Sequence, residues 1–212
     1  MAGSVVILGA GAWGTALAVT LARGGYDVTL CPRRIEHCAE LSAVRENAAY
    51  LAGVALPSTL RLSANWPGAL RDAATIVMAI PSRHARATLA PIAEAIPRTA
   101  TIVSVTKGIE GESLLTMTQM IAELTGREAG IAALSGPGFA AEIARGKPAA
   151  LVAAAHDDRV AALVRDQFAV RPLRVYSSND VTGVELGGTI KNIIAIAAGI
   201  SDGLEFGSSA RA

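Results

Sequence analysis

The chain has 212 residues, enough for one complete domain and part of a second, and at that size a packed core is assured. Apolar residues make up 51% of it but aromatics only 4%, so the core must be built from Ala, Val, Ile and Leu, a composition suited to helices laid on a parallel sheet. A net charge of +1 with no run of like charges excludes a nucleic-acid surface and a polybasic membrane anchor, and leaves small molecules as the expected partners.

The first predicted strand covers residues 4–8 (SVVIL). It has no basic leader before it and no cleavage signature after it, so it reads as a strand entering a turn rather than a signal peptide. It runs into GAGAWG, Gly9 to Gly14, and then a helix over 13–23. A lone G-x-G-x-x-G is a weak signal, but a strand before it and a helix after it make it a dinucleotide fingerprint. Gly9 permits the tight turn, Gly11 lets the backbone approach a pyrophosphate, Gly14 lets helix and strand pack closely, and the helix amides face the anion.

The second strand, 27–31, ends where an NAD site places Asp or Glu beside the adenosine ribose. This chain has Cys31, Pro32 and then Arg33 and Arg34. Two guanidiniums can grip a 2′-phosphate bidentately, so NADP(H) is favoured, with NAD(H) as the alternative; the competing reading is a pair of solvated surface arginines. Cys31 and Cys38 are too few for a disulfide framework or a four-ligand zinc site, which fits a reducing cytoplasm without a metal.

Strands follow at 60–63 and 75–80, the latter closed by Pro81 and Ser82 at its carboxyl end, where ligands bind in open α/β sheets. His84 invites a role as a base, but it opens an amphipathic helix over 84–95, and a cap or surface role is the better reading. The strand at 101–105 delivers Lys107 to the same carboxyl edge, where an ammonium can hold a phosphate or carbonyl oxygen; the alternative is a loop lysine in water. A helix over 113–124 and a strand over 131–134 lead to Gly136, Pro137 and Gly138, a turn that exposes amides to an anion. Helices over 140–144 and 158–168 then alternate with strands over 149–154 and 173–176. Such alternation implies right-handed crossovers and a Rossmann-like, doubly wound, mostly parallel sheet.

After Ser177 the pattern changes. The residues SSND cap a long small-residue helix over about 181–199, and no strand signal follows. This places a boundary near Asn179, with a dinucleotide-binding domain over 1–178 and the opening of a helical substrate domain over 179–212. Lys191 lies within that helix, and an ammonium among buried apolar residues is costly unless it is paired or put to use. No uninterrupted apolar run of about 20 residues, the length a bilayer crossing needs, is expected.

GAGAWGTALA, the Arg33 and Arg34 pair, SVTKGIE, LSGPGFAAEIARGKPAA and ELGGTIKNIIAIAAGISDG occur in one order with compatible spacing. Together they resemble the NAD(P)-dependent glycerol-3-phosphate dehydrogenase family in its bacterial form, from the first strand to the last residue. The resemblance implies hydride transfer between NAD(P)H and dihydroxyacetone phosphate to give sn-glycerol 3-phosphate, supplying the backbone of phospholipids in the cytoplasm, in a protein that is a homodimer candidate. It puts the family's catalytic lysine on Lys191 and cofactor contacts on the GAGAWG turn, including Ala12 and Trp13, and on Arg33, Lys107 and Ala140. Substrate contacts fall on Lys107, Gly136, Gly138 and Lys191, with Asn192 beside the reacting centre. Many members have Ser in place of Ala12, Thr or Ser in place of Gly138, and Asn in place of Ser209. The family also continues past a stretch like GSSARA into an Arg-Gly phosphate clamp and further helices, so the expectation is that this chain is an incomplete copy. A partly buried Lys191 with a lowered pKa would act as acid and base, with Lys107 as electrostatic support. Two other readings stand beside this one: a nucleotide-binding module without turnover, and another β-hydroxyacid-type dehydrogenase.

Overall fold

The computed structural model describes residues 3–211; Met1 and Ala2, at the start of the expected first domain, and Ala212, at the end of the second, lie outside the described residues. In chain order the elements are β1 (Val5–Leu8), α1 (Ala12–Arg23), β2 (Val28–Cys31), α2 (Ile35–Val44), α3 (Ala48–Leu51), β3 (Arg61–Leu62) and α4 (Trp66–Leu70). They continue with β4 (Thr75–Met78), α5 (Ser82–Leu89), a 3-10 turn (Ala90–Ala95), β5 (Thr101–Ser104), α6 (Met117–Thr125), β6 (Ile131–Ser135) and α7 (Ala140–Ala144). The last are β7 (Ala149–Ala154), α8 (Asp158–Phe168), β8 (Leu173–Ser178), α9 (Val181–Gly203) and α10 (Ser208–Arg211).

All eight strands form one sheet in the order β3-β2-β1-β4-β5-β6-β7-β8. It is parallel from β3 to β6, turns antiparallel at β7, and β8 runs parallel to β7. The expected doubly wound sheet is therefore present, with one reversed step beyond β6. Because side chains alternate across a strand, β1 supplies both faces: Val5 and Ile7 pack with α1 and α8, while Val6 and Leu8 pack with Met78, Leu89 and Met120. Strands buried on both faces must be apolar throughout, and VVIL, VTLC and TIVM nearly are.

Several helix boundaries differ from the sequence reading, among them the start of α5, at Ser82 rather than His84, and the end of α9, at Gly203 rather than about 199, and two of the differences have a clear local cause. The helix expected over 84–95 gives way to 3-10 geometry after Leu89, because Pro91 has no N–H to donate and its ring crowds the preceding turn. The helix expected from 113 starts at Met117 instead. Thr116 accepts from the Gln119 amide while the Gln119 side chain accepts from the Thr116 amide, a reciprocal capping box that fixes the first turn there. Helices α2, α3 and α4 were not expected.

The largest difference concerns α9. It was expected to be a buried apolar helix, yet only Val181, Glu185 and Ser201 are buried, while Ile190, Ile193, Ile194, Ile196 and Ile200 are exposed. Its first turns alone meet the sheet: Val181 packs on Ala133 of β6 and Ala154 of β7, and Asp180 caps the helix by accepting from the Gly183 amide. By length and composition α9 is also apolar enough to cross a membrane, contrary to the expectation that no segment would be. Its start is tied to α6 by Glu185.

Candidate functional site

The GAGAWG turn is shaped by three glycines with different duties. At Gly9 φ is +107°, and a Cβ would stand 2.5 Å from the Ala79 carbonyl oxygen. A Cβ on Gly14 would stand 2.1 Å from the Gly9 carbonyl oxygen, so α1 can lie this close to β1 only with glycine there. Gly11 is the N-cap of α1 and has nothing within 4 Å of its Cβ position. Its free side is part of a cleft of about 670 Å³. Here is a cradle that a side chain would fill and a ligand backbone can use, placed between β1 and β4, where the strand order reverses. The residues present therefore fit a dinucleotide, whose pyrophosphate the amides at the α1 N-terminus would hold.

The cleft gathers all the residues singled out for a cofactor: Gly9, Gly11, Ala12, Trp13, Gly14, Arg33, Arg34, Lys107 and Ala140. Arg33 and Arg34 are exposed at the end of β2, Arg34 being the N-cap of α2, and among the described residues neither guanidinium has a carboxylate partner. Arg83 and His84 line the far rim. His84 is exposed and accepts a hydrogen bond from Arg83 Nε at 3.0 Å, in keeping with a surface role.

A second cavity of about 240 Å³ adjoins the first and is lined by Ser135, Gly136, Pro137, Gly187, Gly188 and Lys191 among others. Lys107 lines both cavities. Its ammonium donates to the Gly136 carbonyl at 3.2 Å, and it is held below the ordinary lysine range first by desolvation and then by the positive charge of Lys191. The desolvated ammonium is thus that of Lys107, whereas Lys191, expected to be the buried lysine, lies at the surface. Lys191 is exposed, with its Nζ 5.4 Å from the centroid of the Phe139 ring, within cation-π reach. Gly138, expected at the substrate, lines the larger cleft, and Asn192 is exposed and lines neither cavity.

The loop that carries Lys107 is fastened on three sides. The Thr106 hydroxyl donates to the Ile80 carbonyl at 2.7 Å. Arg86 of α5 clamps Glu110 through two bonds, Nε at 2.6 Å and its terminal nitrogen at 2.8 Å, and reaches Glu123 of α6 at 2.7 Å. The bonds from Arg86 first, and then one donated by the Ser113 hydroxyl, drive the Glu110 carboxyl down to about 2. At Gly108, with φ +132°, a Cβ would come within 2.6 Å of the Ser82 hydroxyl, so the chain can turn past α5 only with glycine there.

Several supporting residues were missed by sequence reasoning. Asn47, His37, Tyr50 and Thr106 all frame or brace the cleft, and none falls in a glycine motif or at a strand end with an obvious charge. Glu185 was missed as well: buried in α9, its carboxylate accepts from the Thr118 amide at 2.9 Å and the Thr118 hydroxyl at 2.5 Å, at the positive N-terminus of α6. A glutamate inside an otherwise apolar helix was the available signal. Among the described residues no group of three or more His, Cys, Asp and Glu comes together to hold a metal ion.

Comparison with known proteins agrees with this fold. Residues 4–161 match the model of the NAD-dependent glycerol-3-phosphate dehydrogenase N-terminus, and residues 180–212 that of its C-terminus. The chain is 44% identical over its whole length to a glycerol-3-phosphate dehydrogenase [NAD(P)+] of Geobacter sp. (strain M21), covering 64% of it. It is 45% identical, over 99% of the chain, to the enzyme of the same description from Corynebacterium glutamicum, covering 63% of it. A crystal structure of glycerol-3-phosphate dehydrogenase from Coxiella burnetii superposes with a TM-score of 0.89 at 34% identity, over 99% of this chain and 64% of that one. The chain thus spans somewhat under two thirds of the length of these relatives.

Proposed function

Since the chain belongs to the NAD-dependent glycerol-3-phosphate dehydrogenase family, we propose that it serves hydride transfer between NAD(P)H and dihydroxyacetone phosphate, giving sn-glycerol 3-phosphate for phospholipid synthesis in the cytoplasm. The observation that carries this reading is the position of Lys107, on the shared wall of a dinucleotide-sized cleft and a smaller cavity that also holds Lys191. The domain division near Asn179 and a homodimer belong to the same proposal.

A nicotinamide held in the cleft would supply hydride to the carbonyl carbon of the ketone, and a proton must then reach the carbonyl oxygen, where negative charge develops. Lys191 gives that proton from its ammonium, and in the reverse direction its amine takes it back. Lys107, fixed by the Gly136 carbonyl and the Arg86–Glu110 clamp, stands as a preorganised positive group for the oxygen or for the substrate phosphate. Gly11 leaves room for the pyrophosphate, Trp13 and Ala140 bound the cleft, and Arg33 and Arg34 meet the adenosine end, where they favour the 2′-phosphate of NADP(H) over NAD(H). Gly136 contributes backbone to the smaller, substrate cavity and Gly138 backbone to the cleft beside it, and Asn192, one residue beyond Lys191, is the further polar group of the substrate side.

The test is Lys191→Ala. NADPH binding is expected to stay as in the wild type while dihydroxyacetone phosphate turnover falls at least about 100-fold, the scale of a lost general acid; turnover near that of the wild type refutes the assignment. The exposure of Lys191 and Asn192 favours a second reading, a nucleotide-binding module without turnover. NADPH binding with no NADPH oxidation on addition of dihydroxyacetone phosphate would establish it.

A further inference from the structure

Beneath the cofactor turn lies a polar cluster that no motif announces. Asn47 is 1% exposed, and all of its amide is engaged. Its Nδ2 donates to the Ala10 carbonyl at 2.9 Å and to the Thr15 hydroxyl at 2.7 Å, and its Oδ1 lies 3.2 Å from Nε2 of His37. Ala10 sits between Gly9 and Gly11, and Thr15 is in the first turn of α1, so one side chain holds both ends of the anion-binding turn. Neither partner is near Asn47 in sequence, being 37 and 32 residues away.

The donor and acceptor roles are fixed by chemistry. The Ala10 carbonyl can only accept, so the atom facing it must be the amide nitrogen. The amide oxygen then faces His37 and can only accept, so neutral His37 must carry its proton on Nε2. His37 is itself 8% exposed, lines the cleft, and lies in α2 one turn after Arg33 and Arg34, with its ring 5.7 Å from that of Tyr50, another wall of the cleft. The hydrogen bonds therefore run from the α2 wall, through Asn47, to the carbonyl of the turn.

We propose that Asn47 and His37 are positioning residues for the dinucleotide: Asn47 sets the Gly9 to Gly11 turn at the spacing the pyrophosphate needs, and His37 holds Asn47 in the orientation that does so. This rests on the reading of the large cleft as the cofactor site. No covalent step is involved.

The tests are NADPH titration and heteronuclear NMR on the whole chain. Wild-type protein that does not bind NADPH overturns the reading of the cleft itself, whereas wild-type binding with unchanged variants overturns only the positioning role. His37→Leu, which loses the donor at a site on the cleft wall, is expected to weaken NADPH binding about 10-fold, and His37→Gln, whose amide can still donate to Asn47, to restore most of it. Equal NADPH affinity in His37→Leu and His37→Gln, with both folded by circular dichroism, overturns the proposal, because a merely space-filling role would not distinguish them. In the 15N-labelled wild type above pH 8, long-range ring correlations should show His37 with its proton on Nε2. A proton on Nδ1 instead overturns the assigned chain of bonds, and this measurement needs no variant to fold.

Discussion

The second and third glycines of GAGAWG, Gly11 and Gly14, make a matched pair, because one answers to the ligand and the other to the protein. In Gly14→Ala the new Cβ would lie 2.1 Å from the Gly9 carbonyl oxygen and 3.0 Å from Ala79 Cβ, almost 1 Å closer than real Cβ atoms approach a neighbour. The carbonyl is backbone and cannot swing aside, so α1 must lift from β1. Helix α1 is buried from Gly14 to Ala22, and overpacking of that kind costs about 3 kcal/mol. Alanine in a helix regains about 1 kcal/mol over glycine. The net loss is about 2 kcal/mol, or about 4–8 °C in Tm for a domain of this size. Gly11→Ala meets nothing within 4 Å, and its φ of −74° suits alanine. Its poorer N-cap and its smaller unfolded-state entropy nearly cancel, each about 0.5–1 kcal/mol. Its methyl does fill the cradle, so NADPH affinity should drop about 10- to 100-fold, since misplacement by ~1 Å is costly at such sites. Thermal melting and NADPH fluorescence titration on both variants decide the matter. Gly11→Ala that binds NADPH like the wild type, or that melts lower than Gly14→Ala, would refute the division of labour.

Changing Arg33 and Arg34 together to Ala should erase a preference for NADPH over NADH while leaving NADH affinity within about twofold; an unaltered preference shows that they do not read the 2′-phosphate. Glu110 has its folded-state pKa depressed to about 2 from 4.5, so its clamp on Arg86 is fully stabilising above the unfolded value and is lost as pH falls through about 4.5 towards 2. Melting curves of the wild type should therefore fall more steeply across that window than those of Glu110→Gln, and parallel curves count against the clamp. The two cysteines should differ in reactivity: burial drives the Cys31 thiol up to about 12, while Cys38 is only half-buried. Mass spectrometry after brief alkylation at pH 8 should find the label on Cys38, and label on Cys31 in the folded protein would show that β2 opens.

Local chemistry made much of this fold legible. Strands β1, β2 and β4 declare themselves because burial on both faces demands unbroken apolar runs, and the glycine turn declares itself because backbone proximity has no other residue to use. The residues lost to sequence reading are those whose meaning depends on distant partners. Helix α2, IEHCAELSAV, buries only His37 and Leu41 and so has no apolar stripe to reveal it. Asn47 looks like any loop asparagine until Ala10 and Thr15 are brought against it. Lys191 misled in the opposite direction: apolar neighbours in sequence suggested a buried ammonium, but those isoleucines are exposed, and the desolvated lysine is Lys107, which the sequence places in a polar loop.

Helix α9 can also be regarded as a beam clamped at one end. Its fixings to the sheet and to α6, through Asp180, Val181, Glu185 and the close pass of Gly188 over Ser135, lie in the first eight or so residues. Lys191 stands about one turn past the last of them, ~4.5 Å along the axis, while Gly203 lies ~18 Å farther out. A load applied at the far end therefore acts with roughly five times the arm of one applied at the lysine. A tilt of a few degrees that displaces the tip by more than an ångström moves Lys191 by only a fraction of one. By the same lever arms, any displacement at the far end of α9 would reach the gap between Lys191 and Lys107 reduced about fivefold.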